Sequence, residues 1–168
     1  MVEPIAHYLI PTLILLALVP GVDRKLILLL SPLAVLPDLD FFIGHLYIFH
    51  NLIFAAGLPL LFYLYSKNRQ VSLIAFFFLF SHLLLDTFGP GVGFFYPFYP
   101  RLFRFDFFLY TSPAKPSIGG LSYTAAAMRQ ALTEATKDQR SPVVTSFGVV
   151  LSGLILFAAI VKRSIDRE

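Results

Sequence analysis

His82 and Asp86 stand four residues apart in SHLLLD, within a stretch that is otherwise apolar. On a helix this spacing puts both side chains on one face. An imidazole nitrogen and a carboxylate oxygen so placed can grip one divalent ion, and such donors suit zinc or manganese. The bland alternative is a hydrogen-bonded His–Asp pair that braces two membrane helices.

Pro37-Asp38-Leu39-Asp40 delivers two carboxylates just past the end of an apolar run. Two acids so close repel one another unless a cation lies between them, and no Lys or Arg stands nearby in the sequence. A metal site answers that repulsion, and one Asp capping the next helix at Phe41 is the bland alternative. His45 and His50, in HLYIFHN, are five apart and do not share a helical face. His50 is the better ligand candidate. His45 is read as a proton carrier or a residue that orients a ligand, or else as an interfacial histidine. His7 completes the four histidines of the chain.

These residues must be positioned by membrane elements. The chain has 168 residues, 57% hydrophobic and only 14% charged, and its mean hydropathy is +0.76. A soluble domain carries roughly 25% charge, so lipid is the expected solvent. The net charge of +3 is spread thinly rather than gathered in a stripe, which argues against nucleic acid. There is no cysteine, so any transition metal must use His and carboxylate.

Apolar stretches run from Ile5 to Pro20, Leu26 to Pro37, Leu52 to Tyr65, Val71 to Leu85 and Thr145 to Val161, without period-2 alternation. The expected fold is therefore all-α, a polytopic membrane bundle of about five short helices. They are short against the roughly 20 residues that a crossing needs, and Leu26 to Pro37 as an α-helix reaches only about 18 Å. Arg24, Lys25, Lys67, Arg69, Lys162, Arg163 and Arg167 mark the cytoplasmic ends. With that orientation His7, Asp38, Asp40, His45, His50, His82 and Asp86 all fall toward the outer face. Ionisable groups at membrane depth cost about 2.5 to 3.5 kcal/mol each, so they need partners or a task.

Residues 1–168 read as one membrane-embedded domain, with core motifs in 1–97, a loop and interfacial helix in 88–144, and a last membrane helix in 145–161. Gly89 to Tyr110 is crowded with Phe, Tyr, Pro and Gly and reads as an aromatic loop lying along the interface. Leu121 to Asp138 carries Leu121, Ala125, Met128 and Leu132 at helical spacing and is expected to be an amphipathic helix covering the site.

In order, these elements resemble the YdjM-type family of membrane-bound, metal-dependent hydrolases over roughly the first hundred residues. The family's early His, P-D-x-D, paired-histidine and H-x-x-x-D elements correspond to His7, Pro37-Asp38-Leu39-Asp40, His45 to Asn51, and His82 to Asp86 followed by Thr87 and Gly89. The paired-histidine element departs from the family pattern at Leu46, Tyr47, Phe49 and Asn51. The chain is more distantly similar to the zinc-dependent phospholipase C and P1 nuclease group, which implies a phosphate ester substrate. That group needs further His ligands later in the chain, and none follows His82 here.

The sequence thus leads us to expect an inner-membrane hydrolase with one or two divalent ions, zinc before manganese. The candidate ligands are His7, Asp38, Asp40, His50, His82 and Asp86, with Asp40 and His45 the candidates for catalytic roles. Arg101 and Arg104 are candidates to hold phosphate oxygens, or else they snorkel to the headgroups. The expected substrate is a phospholipid or a polyprenyl phosphate. Rival readings are a transporter with a cation path and a non-catalytic protein whose metal knits its helices together.

Overall fold

In the computed structural model, the described residues are 4–40, 48–89, 91–107, 110–112, 115–117, 121–127, 153, 155 and 156. His45 and most of the last helix expected at Thr145–Val161 lie outside them. The described chain is mostly helical.

Helix α1 (Pro4–Leu18) is followed by a short helix α2 (Arg24–Leu30), whose start Asp23 caps by accepting a 2.8 Å hydrogen bond from the Lys25 amide. At Ser31 the winding tightens into a 3-10 helix, η1 (Ser31–Leu39), with Pro32 at its start and Pro37 inside. Such helices seldom exceed three or four residues, so a nine-residue run is a local feature that the sequence reading missed. At about 2.0 Å per residue it also gains length over an α-helix.

Helix α3 (Leu52–Ser66) is capped by Asn51, which accepts from the Phe54 amide at 2.9 Å. Helix α4 (Arg69–Asp86) is capped by Asn68. Its buried residues, Ile74, Ala75, Phe78, Leu79, His82, Leu83 and Asp86, recur at helical spacing and form one stripe. That stripe packs against α1, α2, η1 and α3, so α4 is the hub of the bundle. Leu15, Ile27, Ala34, Ile74 and Phe78 form one core cluster, and Ala55, Leu79, Leu83 and Val92 form another. The fully buried Ala34 and Ala75 let backbones approach closely.

Among the described residues α4 alone is long and apolar enough to cross a membrane by itself, and α1 and α3 are shorter apolar helices. The all-α expectation needs correction between 101 and 127. Strand β1 (Arg101–Phe107) pairs antiparallel with β4 (Leu121–Ala127), and β2 (Tyr110–Ser112) pairs with β3 (Lys115–Ser117). The amphipathic helix expected from Leu121 therefore does not start there. The physical reason is pairing: residues 121–127 find backbone partners along the full length of β1.

Strand β1 docks on the end of α4. The Phe105 amide donates to the Thr87 carbonyl at 2.8 Å, and Val92 and Phe103 exchange hydrogen bonds at 2.9 Å. The Leu52 amide at the start of α3 donates to the Phe94 carbonyl at 3.0 Å. Residues 87–105 thus tie together the ends of α3 and α4.

Candidate metal centre

The start of α1, the end of η1, the start of α3 and the end of α4 come to one end of the bundle. Each brings a polar side chain. His7 comes from the first turn of α1, Asp38 from the last turn of η1 with Asp40 as its C-cap, His50 from just before the Asn51 cap, and His82 and Asp86 from the end of α4. His7, Asp40 and His82 are completely buried, and Asp86 and His50 nearly so. Asp38 keeps 19% of its side chain accessible, the widest opening in the group.

The two histidines at the centre are each held through one ring nitrogen. His82 Nδ1 lies 2.7 Å from the Ala34 carbonyl, which can only accept, so Nδ1 carries the proton. His50 Nδ1 lies 3.1 Å from Asp40 Oδ2, and the same oxygen accepts from the Phe49 amide at 2.8 Å. Both Nε2 atoms therefore turn inward, and they stand 3.2 Å apart. Asp86 Oδ2 is 3.3 Å from His50 Nε2 and 3.5 Å from His82 Nε2, and Asp38 Oδ1 is 3.6 Å from His82 Nε2. His7 stacks on the His82 ring, with centroids 3.9 Å apart, and its Nε2 is 3.2 Å from Asp86 Oδ1. That contact lacks hydrogen-bond geometry, so among the described residues neither nitrogen of His7 has a hydrogen-bond partner.

Burial opposes a charge on His50, yet the carboxylates of Asp40 and Asp86 prevail and raise its pKa to about 9. The cluster thus holds a positive charge where Asp86, Asp40 and His82 meet. Either a proton or a metal ion can supply that charge, and a metal ion would have to displace the proton.

Among the described residues, two groupings of donors lie close enough to hold an ion, His7 with His82 and Asp86, and Asp38 with His50 and His82. Both need His82. Asp40 is in neither, because its contact is with the far nitrogen of His50. The sequence offered Asp38 and Asp40 as equivalent carboxylates, and the structure gives them different neighbours.

Arg101 and Arg104 are exposed on β1 and, three apart on a strand, leave it from opposite faces. The Arg101 guanidinium lies over the Tyr99 ring, 5.5 Å from its centroid. The structure does not bring the two arginines together. Asn51 and Thr87 are buried beside the cluster and were not singled out from the sequence as site residues. Asn51 is a recognisable cap signal ahead of an apolar run, and it fixes the chain next to His50.

A family model described as YdjM inner membrane protein matches residues 2–165. No curated protein and no solved structure matches the chain. The more distant likeness to zinc-dependent phospholipases C and P1 nucleases finds no support in these comparisons.

Proposed function

The chain belongs to the YdjM inner membrane protein family, and on that premise we propose that it is a membrane-bound hydrolase whose metal is held by the buried His and Asp cluster. The observation that carries this reading is the facing pair of His50 and His82 Nε2 atoms, 3.2 Å apart and flanked by Asp38 and Asp86 oxygens. Lone pairs and carboxylates gathered in a buried site need a cation, and no described Lys or Arg pairs with them. The chemistry of the donors fits a divalent metal. Among the described residues, buried His7 Nδ1 and Nε2, Asp38 Oδ2, Asp40 Oδ1 and Asp86 Oδ1 have no hydrogen-bond partner, a concentration of unmet polar atoms that a bound ion would relieve.

His50, His82, Asp86, Asp38 and His7 would hold the ion, with zinc favoured over manganese by the nitrogen content. Asp40 and the Ala34 carbonyl orient His50 and His82 through their far nitrogens, an arrangement that fixes tautomer and raises basicity. A bound divalent ion supplies a Lewis acid for a phosphoryl oxygen and makes water acidic enough to attack near neutral pH. Asp38, the most accessible of these carboxylates, marks the side on which the cluster opens. The helices that carry the cluster are apolar, and Leu39 beside Asp38 in the sequence is exposed. That favours an amphiphilic phosphate ester, such as a phospholipid or a polyprenyl phosphate, as substrate.

The proposed topology is multi-pass with the site toward the outer face. Helix α2 and η1 run on without a break and together reach about 28 Å, close to the roughly 30 Å of a bilayer core. A second reading has one observation in its favour. The cluster is nearly closed, and closed sites are the habit of structural metals.

The test is the metal content of detergent-purified protein, native against the His82→Ala, Asp86→Ala double variant, followed by hydrolysis assays on lipid phosphates and soluble phosphate esters. Metal in the native protein alone, with metal-dependent cleavage, is the expected result. Metal without cleavage of any ester favours the structural reading. A metal-free native protein, even after metal is supplied, ends both.

A further inference from the structure

The aromatic segment after α4 has two sets of large apolar residues with opposite directions. Val92 and Phe94 point inward and pack on Ala55, Leu79 and Leu83 between α3 and α4. Phe88, Phe95, Phe98 and Tyr99 point outward, and Phe98 is 85% exposed. Core packing accounts for the first set and not for the second. Four exposed aromatic rings within twelve residues are an unusual patch for water to face.

Helix α4 fixes the depth of this patch. It starts at Arg69, close behind Lys67, where cations favour the headgroup level. Its 18 residues rise about 27 Å, which brings Asp86 to the headgroup level on the opposite side. Phe88 follows two residues later. Arg101 then lies over Tyr99, pairing a cation with a ring of amphipathic character, a combination suited to the boundary between hydrocarbon and phosphate.

We propose that Phe88, Phe95, Phe98, Tyr99 and Arg101 form an interfacial anchor, in which the four rings seat at the phospholipid headgroup level and Arg101 reaches the phosphates. The anchor holds the mouth of the His and Asp cluster at that level, on the side of Asp86. It rests on the membrane reading of the family and does not depend on hydrolysis.

The chain contains no tryptophan, so a single introduced one reports its own surroundings. Phe98→Trp is a conservative change at an exposed position, and Phe76→Trp on the outer surface of α4 serves as the mid-membrane reference. Both variants are reconstituted into phosphatidylethanolamine and phosphatidylglycerol vesicles that contain lipid brominated at shallow or at deep acyl positions. Phe98→Trp is expected to lose more of its emission to the shallow bromines, and Phe76→Trp more to the deep ones. Quenching of Phe98→Trp by aqueous iodide alone, with Phe76→Trp still quenched by deep bromines, overturns the anchor and leaves the membrane reading intact; the segment then faces water or a protein partner. If neither variant responds to brominated lipid, the anchor fails together with the membrane reading.

Discussion

His50 Nε2 and His82 Nε2 face each other at 3.2 Å while their other nitrogens are engaged by Asp40 and the Ala34 carbonyl. Each ring is therefore held by its back, and its Nε2 is aimed at the same point. A positive charge there, a proton on His50 or a metal ion in its place, stabilises the packing of the segment before α3 against α4 as well as any chemistry.

Metal removal should therefore be felt in stability. Adding zinc at a thousandfold excess over its dissociation constant stabilises the folded state by about 4 kcal/mol. Thermal unfolding followed by circular dichroism, with chelator and after zinc is restored, should show a clear fall and recovery of Tm. An unchanged Tm would mean that the cluster is satisfied by protons alone.

Asp40 and Asp86 should separate in a metal titration. Asp40 contacts His50 Nδ1 and the Phe49 amide, so Asp40→Asn is expected to weaken metal binding about 10- to 100-fold and keep its stoichiometry. Asp86 faces three histidines, and Asp86→Ala should abolish stoichiometric binding. Calorimetric titration reads both. Equal loss in the two variants would place Asp40 among the ligands.

Asn51 caps α3 through the Phe54 amide and holds the preceding turn by donating to the Ile48 carbonyl at 2.8 Å. Asn51→Ala should cost about 1 kcal/mol in stability. Because the cap is next to His50, metal affinity should fall as well, measurable in the same titration. An affinity equal to that of the native chain would show that His50 is held without the turn.

Gly91 and Gly57 should respond to alanine in opposite directions. Gly91 has φ +91° and a Cβ there would stand 3.3 Å from the Phe103 carbonyl, where β1 docks. Gly91→Ala should destabilise by about 1–3 kcal/mol. Gly57 lies inside α3 with open space around it, so Gly57→Ala should stabilise by up to about 1 kcal/mol. Denaturant or thermal unfolding of the two variants checks the signs.

The gathering of His7, Asp38, His50, His82 and Asp86 at one end of the bundle was legible because ionisable groups stand out at the ends of apolar helices. Separating Asp38 from Asp40 was not legible, since it depends on the tight winding of η1 and on which carboxylate meets the His50 Nδ1. The strands were the largest misreading. Leu121 and Ala125 matched a helical period, but the pairing that makes 121–127 a strand comes from Arg101–Phe107, far away in sequence. A period-2 signal was present in β1, where Phe103, Phe105 and Phe107 alternate with Arg104 and Asp106. The crowding of Phe, Pro and Gly upstream drew the reading toward an irregular loop.

The cluster draws on the beginning of α1 and the end of α4, with η1 and α3 between them. During synthesis His7 leaves the ribosome first and must wait for Asp86, which completes the last helix of the set. Until α4 is inserted and docked, His7, Asp38 and His50 lack the carboxylate they share and the His82 ring that bridges them. If the cluster holds a metal as proposed, its acquisition is a late event in biogenesis, and a ribosome stalled before α4 leaves a chain that lacks two of the proposed ligands, His82 and Asp86.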